Sequence, residues 1–318
     1  FWSFEKSRWW VYANVIESVF YFAFPFFFML AGATLLDYRK RYSTEEFFAK
    51  RINKTVIPIV FWSILGIVFN YLMGSVDVGI FTPLNIIDSI INTKANGETY
   101  WVFICLYTTY LAIPVLTLIP EEQRKGAFSY IILGFIILNV TLPLISSLSN
   151  YVIPWNIGVI MPIGANFVIY VLIGYYIDKY EIKKSTRILI YVLGFLALLL
   201  HMLGTLYLSF RDNALNETFK GHMGLACIVY SSAIFLFFRN LKDSKFKTLL
   251  YNVASLFRKQ TFGIYLIHYF IIATIRKFVT FNDFNFRYRI LLALVTFLTS
   301  WIIVKLAQKM PILKKLLS

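Results

Sequence analysis

The chain has 318 residues, of which 59% are hydrophobic and only 15% are charged, and its formal net charge is +15. These proportions lie far from those of soluble domains and exclude an ordinary water-soluble protein. The basic residues are spread over many short connections, without the folded basic face or the long basic tail that nucleic-acid binding requires.

Nine apolar segments follow one another along the chain, each long enough to cross a bilayer. A helix needs roughly 20 residues to cross the hydrocarbon, and its backbone polar groups must be paired internally. The sequence therefore predicts an all-α, polytopic transmembrane bundle that forms a single membrane domain over residues 1–318. The predicted spans are 14–36, 55–73, 99–119, 128–147, 157–177, 188–208, 221–238, 261–279 and 289–307. Cys105 and Cys227 lie inside predicted spans and indicate neither a disulfide framework nor a metal site.

Lys and Arg are concentrated in every second connection between these spans. Connections 37–54 and 239–260 carry six each, whereas 74–98 has only Lys94 and 148–156 has none. Positively charged connections stay in the cytoplasm, so residue 1 is expected outside and the C-terminus inside. An outer N-terminus without a signal peptide is best explained by a further span upstream. We therefore expect a truncated copy of a ten-span protein.

Polar residues inside the predicted spans are candidate functional groups, because such groups are costly in hydrocarbon. Glu17, His201 and His222 are predicted near the outer side, with Glu98 at the lip of a neighbouring span. Taken singly, each is explained by an interfacial side chain or a helix–helix contact. Together they predict a polar vestibule that opens outward.

His268 lies in the segment GIYLIHYFII, residues 263–272, roughly 10–12 Å into the bilayer at helical rise. Tyr265 and Thr261 precede it at helical spacing and share its face. A histidine on such a face, turned into the bundle, can donate a proton, accept one or stay neutral. The alternative is a hydrogen bond between helices without any chemistry.

Arg51 and Lys54 lie in the first basic connection and would stand one turn apart on a helix. Two cations at the membrane surface are suited to holding phosphates. Ordinary positive-inside charge explains them equally well, and their spacing does not separate the two interpretations.

Several segments, taken in order, resemble the integral-membrane acyltransferase family 3, the bacterial O-acyltransferases that modify surface glycans. The resemblance runs over nearly the whole chain. Its motifs are PFFFMLAGATLL at 25–36, KRINKTVIPIVFW at 50–62, TYWVFICLYTTYLAIP at 99–114, FVIYVLIGYYI at 167–177 and FGIYLIH at 262–268.

The resemblance implies transfer of an acyl group, usually acetyl, from cytoplasmic acyl-CoA to a hydroxyl of a cell-surface or lipid-linked glycan, in a bacterial cytoplasmic membrane. It implies no metal, and its expected partners are acyl-CoA, the glycan and membrane lipids. Arg51 and Lys54 match the family's R-x-x-R motif, with Lys in the last place, and would contact the acyl-CoA phosphates. The residues expected to line the central cavity are Trp101, Tyr110, Tyr265 and His268.

The chain departs from the family pattern at two places. Ala31 stands where the family has a serine before the span glycine. The family's principal catalytic histidine belongs to the first of ten spans, which we expect upstream of this chain. Without that span the chain is expected to be inactive unless His268 or His201 substitutes, and His268 is better interpreted as a cavity-lining residue that orients the thioester. Within the chain, His268 and Glu17 are the remaining catalytic candidates.

The competing interpretation is a transporter or flippase for a lipid-linked glycan. Such proteins show inverted repeats and Gly- or Pro-interrupted helices at matching positions. Pro25, Pro58, Pro114 and Pro162 interrupt predicted spans, but they form no repeated pattern. Transfer of label from acetyl-CoA separates the two functions, since a transporter needs no acyl donor.

Overall fold

The computed structural model describes residues 4–164, 166–279 and 286–317, and all regular structure in these ranges is helical. They contain sixteen α-helices: α1 Arg8–Phe20, α2 Ala23–Leu35, α3 Thr44–Arg51, α4 Ile57–Leu72, α5 Pro83–Ile91, α6 Trp101–Leu116, α7 Glu121–Phe135, α8 Leu142–Leu148, α9 Val168–Lys179, α10 Lys184–Leu199, α11 Thr205–Asp212, α12 Leu225–Arg239, α13 Lys245–Phe257, α14 Thr261–Phe278, α15 Phe286–Ala307 and α16 Pro311–Leu316. The expected all-α fold is confirmed.

Three π-helical segments join pairs of these α-helices into longer rods. They are Ile52–Val56, Ile136–Thr141 and Leu200–Gly204. With them, the continuous helices run over Thr44–Leu72, Glu121–Leu148 and Lys184–Asp212. A π-turn inserts an extra residue into the helix and is often found at functional sites. Two of these segments contain residues singled out from the sequence, Lys54 and His201.

In the described part of the chain, five helices are long and apolar enough to cross a membrane: Arg8–Lys40, Thr44–Leu72, Glu121–Leu148, Lys184–Asp212 and Arg287–Ala307. Each contains most or all of a predicted span. The shorter apolar helices Trp101–Leu116 and Leu225–Arg239 overlap two more, and α14 covers the predicted span 261–279. The prediction of an all-helical, membrane-like protein is thereby confirmed, whereas the count of nine spans is not.

The predicted span 157–177 is wrong in its first half, because α9 begins only at Val168. The described residues before it form turns and irregular backbone. Pro154 and Pro162 lack the amide hydrogen that a helix needs. Gly164 and Asn166 have positive φ angles of 95° and 51°. Hydropathy alone placed a helix where these residues prevent one.

The chain divides into two compact units, and the division falls within α6. The first unit comprises Phe1–Ser43 and Cys105–Leu241. Its centre is α9, which is buried on nearly every side and packs chiefly against α2. A Cβ on Gly32 would overlap the carbonyl of Val171, and one on Gly174 would overlap the carbonyl of Met29. Helices in hydrocarbon commonly pack through such small residues.

At one end of the first unit, Arg124 is buried and ties several helix ends together. Its guanidinium lies 3.2 Å from Asp37 Oδ1 and donates to the carbonyls of Ile119 at 2.9 Å and Thr117 at 3.1 Å. It also donates to Tyr175 Oη at 3.3 Å. Because a buried charge without partners costs several kcal/mol, this set explains how an arginine is tolerated there.

The second unit comprises Thr44–Ile104 and Lys242–Ser318. In it α14 packs against α15 and α4. Asn70 on α4 donates to the carbonyl of Ala95 at 2.9 Å and accepts from Tyr269 Oη at 2.9 Å. Helix α4 and the turn 93–97 meet closely, since a Cβ on Gly66 would lie 2.5 Å from the Ala95 carbonyl oxygen. These bonds hold α14 in a defined position on α4.

Gly174→Ala tests the contact between α2 and α9. The added methyl must push the two backbones apart, so we expect a loss of about 1–3 kcal/mol in stability, as for other overpacked sites. Thermal unfolding of the detergent-purified protein measures it.

The matched control is Gly126→Ala on α7, where an added Cβ meets nothing within 4 Å. Alanine favours a helix over glycine, so this variant should be as stable as the parent or slightly more stable. Equal melting temperatures for the two variants would contradict the tight α2–α9 contact.

Candidate active site

Helix α1 turns a polar face into the first unit. Trp10, Asn14 and Ser18 are its buried residues, and they recur at the four-residue spacing of one helix face. Glu17 lies one turn beyond Asn14 on the adjoining side. A polar stripe of this kind in a membrane helix must find partners inside the protein.

The partner of this stripe is Lys220, in the connection between α11 and α12. Its side chain is 1% exposed and its Nζ lies 2.7 Å from Glu17 Oε2. Nζ also donates to Asn14 Oδ1 at 3.0 Å, and Asn14 Nδ2 donates to the Met202 carbonyl at 3.0 Å. Burial lowers the pKa of Lys220, and the Glu17 carboxylate acts in the opposite direction.

Two histidines lie beside this ion pair and contact the ring of Tyr21. His222 stacks on Tyr21 with a centroid distance of 4.1 Å and an interplanar angle of 14°. The centroid of the His201 ring lies 4.9 Å from that of the Tyr21 ring. We call Asn14, Glu17, Tyr21, His201, Lys220 and His222 the buried polar cluster.

His201 is completely buried and lies on the π-helical segment Leu200–Gly204. The backbone of Phe219 is near its ring, but neither ring nitrogen makes a hydrogen bond of normal geometry with a described residue. A buried imidazole without such a bond is destabilising on its own. The local packing therefore does not explain why a polar imidazole is buried at this position.

Hydrogen bonds from tyrosine hydroxyls to backbone carbonyls hold the cluster in place. Tyr170 on α9 donates from its hydroxyl to the His222 carbonyl, and Tyr230 on α12 donates to the Ser18 carbonyl at 3.1 Å. Only Glu17 of the ion pair reaches the surface, with 31% of its side chain exposed. The ion pair therefore keeps its cation inside and leaves part of the Glu17 side chain at the surface.

In the second unit, His268 and Tyr265 are neighbours on α14. The rings lie 5.2 Å apart, and Tyr265 donates from its hydroxyl to the Thr99 carbonyl. His268 Nδ1 lies 2.5 Å from the Tyr265 carbonyl. Because a carbonyl only accepts, Nδ1 carries the proton, which leaves Nε2 of the neutral ring as a proton acceptor.

The face predicted from Thr261, Tyr265 and His268 is therefore only partly correct. Tyr265 and His268 are half-buried, but Thr261 is exposed, and its hydroxyl donates to the carbonyl of Phe257 at the end of α13. Half-burial leaves His268 accessible to a ligand, in contrast to His201.

Arg51 and Lys54 lie at the junction of α3 and the π-helical segment Ile52–Val56. The Arg51 guanidinium lies over the Phe47 ring at 5.4 Å, whereas Lys54 is exposed. The expected α-helical spacing does not hold here, because the π-turn spreads its residues more widely around the axis. Both cations nevertheless lie in the same unit as His268.

Trp101 and Tyr110 both belong to α6. Trp101 lies in its first turn, half-buried, within the second unit. Tyr110 is buried in the part of α6 that belongs to the first unit. The shared cavity expected for Trp101, Tyr110, Tyr265 and His268 stays a prediction.

The buried polar cluster brings together Glu17, His201 and His222, three of the four residues expected at the outer vestibule. Glu98, the fourth, belongs to the second unit and has a positive φ of 60°. Sequence reasoning missed Lys220 and Tyr21. In the sequence, Lys220 looks like an ordinary residue of a connection between spans. The only indication of a special role is that it is a lysine in a connection that is otherwise poor in lysine.

A family model described as an acyltransferase domain matches residues 1–305 of the chain. No curated protein and no solved structure matches the chain significantly.

Lys220→Met tests whether the Glu17–Lys220 pair organises the cluster. The variant leaves the Glu17 carboxylate without its cation, and we expect a loss of about 2–3 kcal/mol, less than for a fully buried pair because Glu17 is partly exposed. Adding Glu17→Gln to it should restore part of the stability. Thermal unfolding of the two single variants and the double variant measures the coupling, and strictly additive effects would contradict the pair.

Proposed function

This chain belongs to acyltransferase family 3, and on that premise we propose that it moves an acyl group, acetyl in the simplest case, from cytoplasmic acyl-CoA to a hydroxyl of a cell-surface or lipid-linked glycan. The family match over residues 1–305 carries the proposal. The match and the apolar helices support a membrane acyltransferase in general. The donor, the acceptor and the acyl group are our proposal.

We assign the protein to a bacterial cytoplasmic membrane, with the basic connections on the cytoplasmic side. We propose that the chain crosses the membrane about nine times. Helix α9 is the weakest of these crossings, because its 12 residues extend only about 18 Å. Its burial on nearly all sides supports a place inside the protein, where a short helix needs no lipid contact.

His268 is our proposed general base. Its Nδ1–H is held by the Tyr265 carbonyl, and Nε2 makes no hydrogen bond with a described residue, so it is oriented and available. In the proposed step Nε2 accepts the proton of the acceptor hydroxyl, and the hydroxyl oxygen forms a bond to the thioester carbonyl carbon. The C–S bond then breaks, and the proton passes to the departing CoA thiolate.

Arg51 and Lys54 are our proposed contacts for the CoA phosphates. They lie in the same unit as His268, which supports donor binding and proton removal by one folded unit. Charge-assisted hydrogen bonds to phosphate are stronger than neutral ones. Trp101 and Tyr265, in that same unit, are proposed to contact the acyl group or the acceptor.

Glu17 is our second catalytic candidate, in the first unit. Its carboxylate is held by Lys220 and partly exposed, so it can accept a hydrogen bond from a sugar hydroxyl. We propose that it orients a hydroxylated ligand, because the Lys220 ammonium holds its carboxylate in place.

Acyl transfer is tested by incubating membranes that contain the protein with radiolabelled acetyl-CoA. We expect base-labile label in the lipid or glycan fraction, and none with membranes from cells that carry an empty vector. Transport of a lipid-linked glycan without any label transfer would overturn the proposal in favour of a flippase.

His268→Ala should lower kcat by about 10²–10⁴-fold, the usual contribution of a general base. The KM for acetyl-CoA should change little, because the imidazole acts on the acceptor proton. Thr274→Ala, on the same helix and bonded only to the Phe270 carbonyl, is the matched control and should behave like the parent. Equal kcat values for the two variants would exclude His268 as the base.

Arg51→Ala should raise the KM for acetyl-CoA about tenfold or more, as expected for the loss of a charge-assisted bond. The matched control is Lys50→Ala, which removes the same charge one position earlier. Lys50 pairs with Glu46 at 2.7 Å on the surface, and such pairs contribute little. Parallel changes in the two variants would indicate a general charge effect and contradict a specific phosphate contact.

A further inference from the structure

A groove of about 680 Å³ runs between α7, α9, α10 and α12 of the first unit. Its volume is within the usual range for ligand sites in proteins. Most of its lining is aliphatic, with Leu133 from α7 and Leu193 from α10 on opposite sides. These two side chains are 59% and 45% exposed. Both helices belong to membrane-crossing rods, so the aliphatic part of the groove faces hydrocarbon.

The other end of the groove is charged. Lys125, at the start of α7, and Lys183, immediately before α10, line it together with Glu181. None of these three residues forms a salt bridge within the described part of the chain. Lys125 Nζ lies 5.6 Å from the centroid of the Tyr180 ring, a contact that leaves its charge uncompensated by a carboxylate.

The start of α10 adds to this positive end. Lys183 is its N-cap and provides no side-chain hydrogen bond, and its first turn contains no acidic residue. The first amides of a helix carry partial positive charge and favour anions. Glu181 offsets one lysine, so the remaining field at this end of the groove is positive.

The groove thus has an aliphatic part and a cationic end. An amphiphile with an acyl chain and a phosphate group would fit both. We propose that it binds an anionic glycerophospholipid, with one acyl chain between α7 and α10 and the phosphate at Lys125 and Lys183. A water-soluble ligand would leave the aliphatic part unfilled. A zwitterionic lipid would lack the net charge that the two lysines favour.

This proposal is independent of the acyl transfer proposed above. It rests only on the groove, its charges and the membrane location of the helices. The occupant is a resident lipid, which the enzyme does not consume. Loss of lipid binding and loss of acetyl transfer are therefore measured separately.

The test is native mass spectrometry of the purified protein in neutral detergent, titrated with phosphatidylglycerol or with phosphatidylcholine of the same acyl chains. We expect phosphatidylglycerol to bind about tenfold or more tightly, as two lysines near a headgroup predict. In the Lys125→Gln/Lys183→Gln variant this preference should disappear. Lys242→Gln/Lys245→Gln removes the same charge from exposed positions in the second unit and should keep the preference.

Leu133→Trp tests the aliphatic part of the same groove. The position is exposed, so the fold should tolerate the indole, which would fill the space for the acyl chain and weaken binding of both lipids. Equal affinity for the two lipids in the parent protein would overturn the proposal. The proposal would also be overturned if palmitoyl-CoA, but not additional lipid, displaced phosphatidylglycerol. A protein dimer that dissociates in either groove variant would overturn it as well.

Discussion

The backbones of α2 and α9 meet at Gly32 and Gly174, and the first unit is arranged around that contact. Between helices in a membrane there is little hydrophobic driving force, so close packing and hydrogen bonds must hold them. The contact places α9 inside, where Tyr170 reaches the His222 carbonyl. It also fixes α2, which follows α1 after a two-residue turn and thereby sets the position of Glu17 and Tyr21. The buried polar cluster therefore depends on two glycines that are not part of it.

Two buried cations of the first unit, Arg124 and Lys220, are compensated by different sets of partners. Arg124 is 7% exposed, and its bonds go to Asp37, Tyr175 and helix-end carbonyls, so every contact stabilises the fold. Lys220 is equally buried, yet its carboxylate partner, Glu17, keeps one third of its side chain at the surface. A buried charge needs compensation in either case. The two cations therefore differ in their partners, since Arg124 bonds to several backbone carbonyls, whereas Lys220 bonds to the Asn14 side-chain amide.

Hydropathy was sufficient to predict an all-helical fold and the five helices long enough to cross a membrane, because it reflects what a segment must do in lipid, but the nine predicted spans are not all confirmed. It failed at 157–177, where Pro154, Pro162 and Gly164 act on the backbone while the composition stays apolar. The partners in the candidate site were harder to predict, since Lys220 and Asn14 are 206 residues apart. Arg51 and Lys54 were selected by type and position, and their role stays a prediction; no residue pattern in the sequence indicated the π-helical segment Ile52–Val56 that contains Lys54.

His201 in the first unit and His268 in the second differ in their accessibility and in their hydrogen bonds. His201 has no hydrogen bond of normal geometry within the described chain and no exposed surface, so a substrate proton has no direct access to it. His268 has one nitrogen held by a backbone carbonyl and is only half-buried, on a helix fixed by the Asn70–Tyr269 bond. A general base must be oriented and reachable at once. His268 meets both requirements, whereas His201 is enclosed by the rings of Tyr21 and Tyr230.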